Sequence, residues 1–129
     1  MIRSNILQSI LLSVGVLVVC GCGSSDRPEL GTVSGTVTLN GKPLANAEIT
    51  FQHEKKRFST GTTDADGRYE LIYIRDIKGA VVGKHTVVIT AKDTARRQLV
   101  PPKYNHNTIL TADVKPKHNT FDFELKTGR

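Results

Sequence analysis

The chain has 129 residues, enough for one domain of ordinary size. Its 18 Lys+Arg against 12 Asp+Glu give a net charge of +6, but there is no dense basic block and no tryptophan, which argues against a nucleic-acid binder built on charge and stacking. The short basic runs are Lys55-Lys56-Arg57 and Arg96-Arg97, each expected as a solvated loop, the alternative being a loose attraction to anionic lipid or polysaccharide.

Residues 1–21 have the layout of an export signal: Arg3 near the start, then a run from Ile6 to Val19 that is mostly Ile, Leu and Val. The run is shorter than the roughly 20 apolar residues that a spanning helix needs. It ends in Val19-Cys20-Gly21-Cys22, the only cysteines in the chain. One intervening residue is too few for a relaxed disulfide and lacks the spacing of a redox pair. No histidine is close in sequence to complete a metal site. The segment resembles the lipobox of bacterial lipoproteins, with Val19 at the aliphatic position, Gly21 at the small one and Cys22 as the modified residue. That resemblance implies cleavage before Cys22, a diacylglyceryl thioether on it, and attachment to a membrane of the cell envelope. Gly23 rather than Asp follows the cysteine, and by the sorting pattern of enterobacterial lipoproteins the resemblance then implies the outer rather than the inner membrane. Residues 22–31, small and polar at their start, are expected to form a lipidated flexible tether.

From Thr32 the pattern changes to short strands divided by turn signals, a domain over 32–127. Val33, Gly35, Val37 and Leu39 alternate with polar residues, and Asn40-Gly41 is a two-residue hairpin turn. A second strand is expected near Ala47–Gln52. Asp64-Ala65-Asp66-Gly67 predicts the turn of a second hairpin, followed by a strand through Tyr69, Leu71 and Tyr73 that is apolar on both faces. His85, Val87, Ile89 and Ala91 share one face of the next strand. Residues 92–108 predict a long polar loop, 109–115 a strand, 116–119 a turn and 120–126 a closing strand with Phe121, Phe123 and Leu125 inward. No segment has a useful helical period. Seven short strands with Gly and Pro turns predict an all-β, antiparallel Greek-key sandwich.

The stretches "VSGTVTLNGKPLANAEITF", "TTDADGRYEL" and "GKHTVVI" resemble the carboxypeptidase regulatory-like domain, one of the transthyretin-like (prealbumin-like) seven-stranded sandwiches. The tail, "PPKYNHNTILTADVKPKHNTFDFEL", is similar to small bacterial lipoproteins with a single such domain. The resemblance implies a fold and an accessory or ligand-contacting role, and no catalytic residue. The hydrolase of 5-hydroxyisourate shares this fold class, but its C-terminal Tyr-Arg-Gly-Ser is missing from "FELKTGR".

Chemistry within the domain is sparse. Asp64 and Asp66 could be a fragment of a calcium loop, but two carboxylates beside Arg68 fit a hairpin turn better. His53, His85, His106 and His118 have no ligand-pair spacing, so no metal or cofactor is expected. No G-x-S-x-G elbow accompanies the serines, and a non-enzyme is expected. Lys103 and Tyr104, held between prolines, together with Arg96 and Arg97, form the candidate ligand-contacting set. The alternative for Tyr104 is a ring folded back over the open end of the sandwich. The expected function is an envelope protein, lipid-anchored, that binds or scaffolds another envelope protein or polysaccharide, the alternative being a carbohydrate- or peptide-binding module using the 91–108 loop.

Overall fold

The computed structural model describes residues 28–128. The expected signal segment, Cys22 and the first residues of the tether lie outside them. The described chain is an all-β sandwich of two sheets.

The first sheet is organised on β1 (Leu30–Leu39). On one side it pairs with β8 (Ala80–Val81), β5 (Arg68–Glu70) and β2 (Lys42–Pro43), all antiparallel. On the other it pairs in parallel with β11 (Lys117–Thr120) and β12 (Phe123–Leu125). The second sheet runs in the order β10 (Thr111–Val114), β9 (Gly83–Thr90), β3 (Glu48–His53), β4 (Ser59–Thr62), β6 (Ile72–Ile74) and β7 (Ile77–Lys78), antiparallel throughout. Between the sheets lie Val33 and Val37 of β1, Ile49 and Phe51 of β3, Val87 and Ile89 of β9, and Leu125 of β12, all at most 1% exposed. Period two therefore turns one face of each long strand inward, as the sequence pattern requires.

The fold class follows the sequence expectation, and the details differ in four places. β1 begins at Leu30, and Val82 N–H donates to Glu29 O, so the sandwich takes up residues 29–31, which the composition places in the tether. The pairing of β1 with β11 and β12 is parallel, against the expectation of a wholly antiparallel sandwich. Lys117–Thr120, most of which reads as a turn, is itself β11; its partner is β1, more than 80 residues away in sequence, which no local signal reveals. The strand through Tyr69 and Tyr73 is two strands. Its first half pairs with β1 and its second with β4, the chain changing sheet at Leu71, which is fully buried. The Asp64–Gly67 turn forms, but it joins two sheets and closes no simple hairpin. Because of such crossings, the described residues form twelve short segments in place of seven strands.

Gly35 shows why β1 holds this sheet together. Gly35 lies opposite Tyr69, and a Cβ on it would sit 1.9 Å from the carbonyl oxygen of Phe121. Tyr69 Oη donates to that same oxygen at 2.7 Å, and Phe121 N–H donates to Ser34 O. Burial of the phenol pushes its pKa well up, so it remains a donor. At the other end of β1, Asn40 (φ 55) and Gly41 (φ 84) take the left-handed conformations that a two-residue hairpin needs.

Gly35→Ala is expected to destabilise by about 3 kcal/mol or more, because a rigid carbonyl must move. Gly41→Ala, with nothing within 4 Å, carries only the left-handed penalty of about 1 kcal/mol. Urea midpoints of the two variants check the order; equal losses would show that the close approach at Gly35 is unimportant.

Candidate functional site

The 91–108 segment leaves β9 at Thr90 and returns to β10, and it is ordered by its own side chains. Asp93 makes its turn: Oδ1 accepts from Ala95 N–H at 2.8 Å and Arg97 N–H at 2.9 Å, and Oδ2 accepts from Arg97 Nε at 2.8 Å. These bonds, with the Arg97 amide foremost, hold the carboxyl below its ordinary pKa. Gln98 Oε1 accepts from Ala91 N–H, and Leu99 N–H donates to Ala91 O. Pro102–Tyr104 is a single 3₁₀ turn. Asn105 is buried, and its amide donates to the carbonyls of Ile89, Val100 and Pro101 at 3.1–3.3 Å. Thr108 Oγ1 donates to Val87 O at 2.6 Å. A long polar loop is thus stapled to the sheet it leaves, backbone carbonyl by backbone carbonyl.

The four sequence candidates take different places. Tyr104 is 7% exposed and its Oη accepts from Lys126 N–H at 3.1 Å, so its ring covers the end of the core, the alternative weighed for it above. Lys103 is exposed with Nζ 5.2 Å from the Tyr104 ring centroid, a cation–π contact. Arg97 is bonded to Asp93, and Arg96 stands exposed at the left-handed corner of that turn (φ 66). None of the four lines the concave surfaces of this region. One concavity, of ≈ 670 Å³, lies on the outer face of the second sheet, with Gln52, Thr86 and Thr90 as its floor and Gln98, His106 and Asn107 as its wall. A second, of ≈ 440 Å³, is apolar along Leu99, Val100, Pro101 and Pro102. Both share Gln98, Asn105 and His106. The sequence signal for them is the Asn105-His106-Asn107 cluster; the sheet residues are placed by register, which the sequence does not display.

The structure also joins two histidines that sequence spacing keeps apart. His53 and His85 are cross-strand partners, with ring centroids 5.2 Å apart and edge to face. His85 is 1% exposed; Nε2 lies 2.7 Å from Val81 O, so that nitrogen carries the proton, and Nδ1 is buried with no partner. His53 Nδ1 accepts from Lys55 N–H and Lys56 N–H and shapes the β3–β4 turn. Asp64 does for its turn what Asp93 does for its own, accepting from Asp66 N–H and Arg68 N–H. Among the described residues no group of three or more His, Cys, Asp or Glu side chains could hold a metal.

A family model described as "Domain of unknown function (DUF6795)" matches residues 33–109. No curated protein matches the chain in sequence. Solved structures with similar shape include a DUF3823 family protein from Parabacteroides merdae ATCC 43184, at 15% identity and TM-score 0.43. The match covers 77% of this chain and 47% of that one, so this chain spans less than half of that protein. The dioxygenase domain of a dioxygenase–carbohydrate-binding protein fusion from Streptomyces sp. SirexAA-E is 21% identical with TM-score 0.44, covering 83% and 86% of the two chains. A 9R-lipoxygenase from Cyanothece PCC8801 is 15% identical with TM-score 0.40, covering 84% and 18%. A likeness of this degree transfers no activity.

Two measurements test the local chemistry. Tyr104→Phe, which leaves Lys126 N–H without its acceptor, is expected to lose about 1 kcal/mol in denaturant unfolding. Burial holds the His85 imidazole below its ordinary 6.5, with the Val81 carbonyl opposing. The unfolded chain therefore takes up a proton that the folded ring resists. The neutral ring's contribution is complete above the unfolded value and is lost as pH falls through 6.5 towards the folded one. Stability should fall as the pH drops below about 6.5, and the slope should flatten in His85→Gln; an unchanged slope would assign it to other groups.

Proposed function

The chain belongs to the DUF6795 family; we propose that it is an exported, lipid-anchored envelope protein whose single sandwich acts as a non-enzymatic binding or scaffolding module. The observation that carries the reading is the placement of the two ends of the sandwich. β1 starts at Leu30, paired with Val81 beside the start of β9, while the 91–108 segment leaves from the finish of β9. An anchor at Cys22 would therefore lie at one end and the exit of the 91–108 segment at the other, with the ≈ 670 Å³ concavity running along the outer face of the second sheet between them. Residues 22–28 give a tether of seven residues between the lipid and Glu29, the first residue bonded to the sandwich, a reach of up to about 25 Å when extended. The outer membrane is the favoured site, on the residue after Cys22. Nucleic acid is not among the proposed partners.

We place the sandwich among the carboxypeptidase regulatory-like domains. This is supported by what its motif residues do. Gly35 admits the Phe121 carbonyl. Thr63 Oγ1 donates to Leu44 O at 2.6 Å and accepts from Ala47 N–H at 2.8 Å, tying "GKPL" to the strand that follows. A non-enzymatic role is supported by three of the four histidines: His85 is buried against Val81 O, His53 is committed to a turn, and His118 Nδ1 lies 2.7 Å from Thr32 Oγ1.

The second reading, a carbohydrate- or peptide-binding module, is favoured by one observation. Apart from Val88, the ≈ 670 Å³ concavity is lined by amides, hydroxyls and an imidazole without a carboxylate, a lining suited to neutral hydrogen-bonding ligands.

The intact mass of the protein purified from host membranes tests the anchor. It should start at Cys22 with a diacylglyceryl adduct, absent in Cys22→Ser; an unmodified mass starting further along would reject it. For the second reading, saturable binding on a glycan or peptide array should fall by about tenfold in His106→Ala with an unchanged melting temperature. Binding that is indifferent to His106 and Gln52 would remove that surface from consideration.

A further inference from the structure

The tip of the β3–β4 hairpin, Glu54-Lys55-Lys56-Arg57-Phe58, joins three consecutive cations to an aromatic ring that is 51% exposed. Exposed large apolar side chains are few among the described residues: Phe58, Leu99 and Ile109. The tip is not loosely placed. His53 Nδ1 accepts from the amides of Lys55 and Lys56, and Arg57 Nε donates to Tyr73 O at 3.1 Å. The ring and its cations are therefore presented by a built turn.

The position of the tip can be traced through the pairing. Leu30, the first residue of β1, is opposite Val81. Val81 O meets the His85 ring, and His85 is opposite His53, the residue before the tip. Gly83 lies between, with the place of its missing Cβ only 3.2 Å from His53 Nε2. The tip thus projects from the end at which the chain arrives from Cys22. Lys84 and Phe58 line one shallow depression there, and Lys117, opposite Gly31, adds another cation.

We propose that this tip is a second membrane contact: Phe58 enters the headgroup region of an anionic lipid surface, and Lys55, Lys56 and Arg57 meet lipid phosphates around it. The inference rests on the anchor reading for its orientation. Its physical basis is that apolar insertion and attraction of a polybasic patch to anionic lipid add to whatever a lipid anchor supplies. Each cation near an anionic leaflet contributes roughly fivefold in partitioning. Glu54 subtracts one charge and leaves the tip at two net positives. A tip contact would also fix which way the sandwich stands on a short tether, with the exit of the 91–108 segment from β9 directed away from the surface.

The chain has no tryptophan, so Phe58→Trp introduces a single indole fluorophore at the tip. The full lipidated protein carrying it would be reconstituted into vesicles of phosphatidylglycerol with phosphatidylcholine brominated in the acyl chains. The tip indole should shift to the blue and be quenched by roughly twofold or more. The effect should be lost in pure phosphatidylcholine, at high salt, and when Lys55→Glu and Lys56→Glu are added. In a separate variant, Leu99→Trp, the indole sits at the opposite end and should stay unquenched. An unquenched tip indole, or quenching in Leu99→Trp instead, would overturn the proposal. Flotation with phosphatidylcholine vesicles at high salt, compared with Cys22→Ser, reads the anchor separately. A Phe58→Trp protein that floats with its indole unquenched refutes the tip and keeps the anchor. One that does not float but is quenched on anionic vesicles keeps the tip and refutes the anchor.

Discussion

One strand carries half of the fold. Each of the other five segments of the first sheet hydrogen-bonds to Leu30–Leu39, and none of them is longer than four residues. A two- or three-residue strand cannot hold itself in register, so β1 supplies the template on both of its edges. That role constrains its sequence. Val33 and Val37 must face the core, and Gly35 between them must be without a side chain, because the crossing to β12 passes directly over it. The parallel partners follow from the same constraint: β11 and β12 come late in the chain and have only the open edge of β1 to join.

From this template follows the separation of the two ends. β1 starts beside β8 and the start of β9, and it finishes at the Asn40–Gly41 turn beside the C-terminal segment, where Asn40 and Thr127 exchange hydrogen bonds. Lys126 N–H donates to Tyr104 Oη, which ties the far end of the first sheet to the loop of the second. The exposed basic tip and the arriving chain therefore share one end, and the stapled loop has the other. Neither end required a dedicated element; both are consequences of strand direction.

The alternating strands and the tight turns are legible from the residues alone, because period two and Asn-Gly or Asp-x-x-Gly are local signals. The inward faces of β1, β3, β9 and β12 and the hairpin at Asn40–Gly41 follow from them. What is not legible depends on distant partners. Leu71 looks like the middle of one strand and is a crossing between sheets. Lys117–Thr120 carries Asn119 and follows Pro116, a turn composition, yet Asn119 bonds to Thr32 O and Lys115 O and lets the segment lie along β1. The candidate site divides in the same way. The segment 91–108 stands out by composition. Which of its side chains turn inward is decided by unpaired carbonyls of β9 and of the loop itself.

That last point bears on what the loop can do. Asn105 and Thr108 satisfy backbone carbonyls, Gln98 receives a backbone amide, and Tyr104 closes the core. Groups used in this way are not available to a ligand, but they hold the rest in place. His106, Asn107 and the sheet residues Gln52, Thr86 and Thr90 are left facing the concavity on a surface whose backbone is already ordered. Ordering a loop on binding consumes affinity, and here that ordering is done by the fold. The cationic residues that mark the loop in the sequence, Arg96, Arg97 and Lys103, sit outside the concavity, where they attract or repel a partner over a Debye length without selecting it. Charge and shape are thus carried by different residues of one segment.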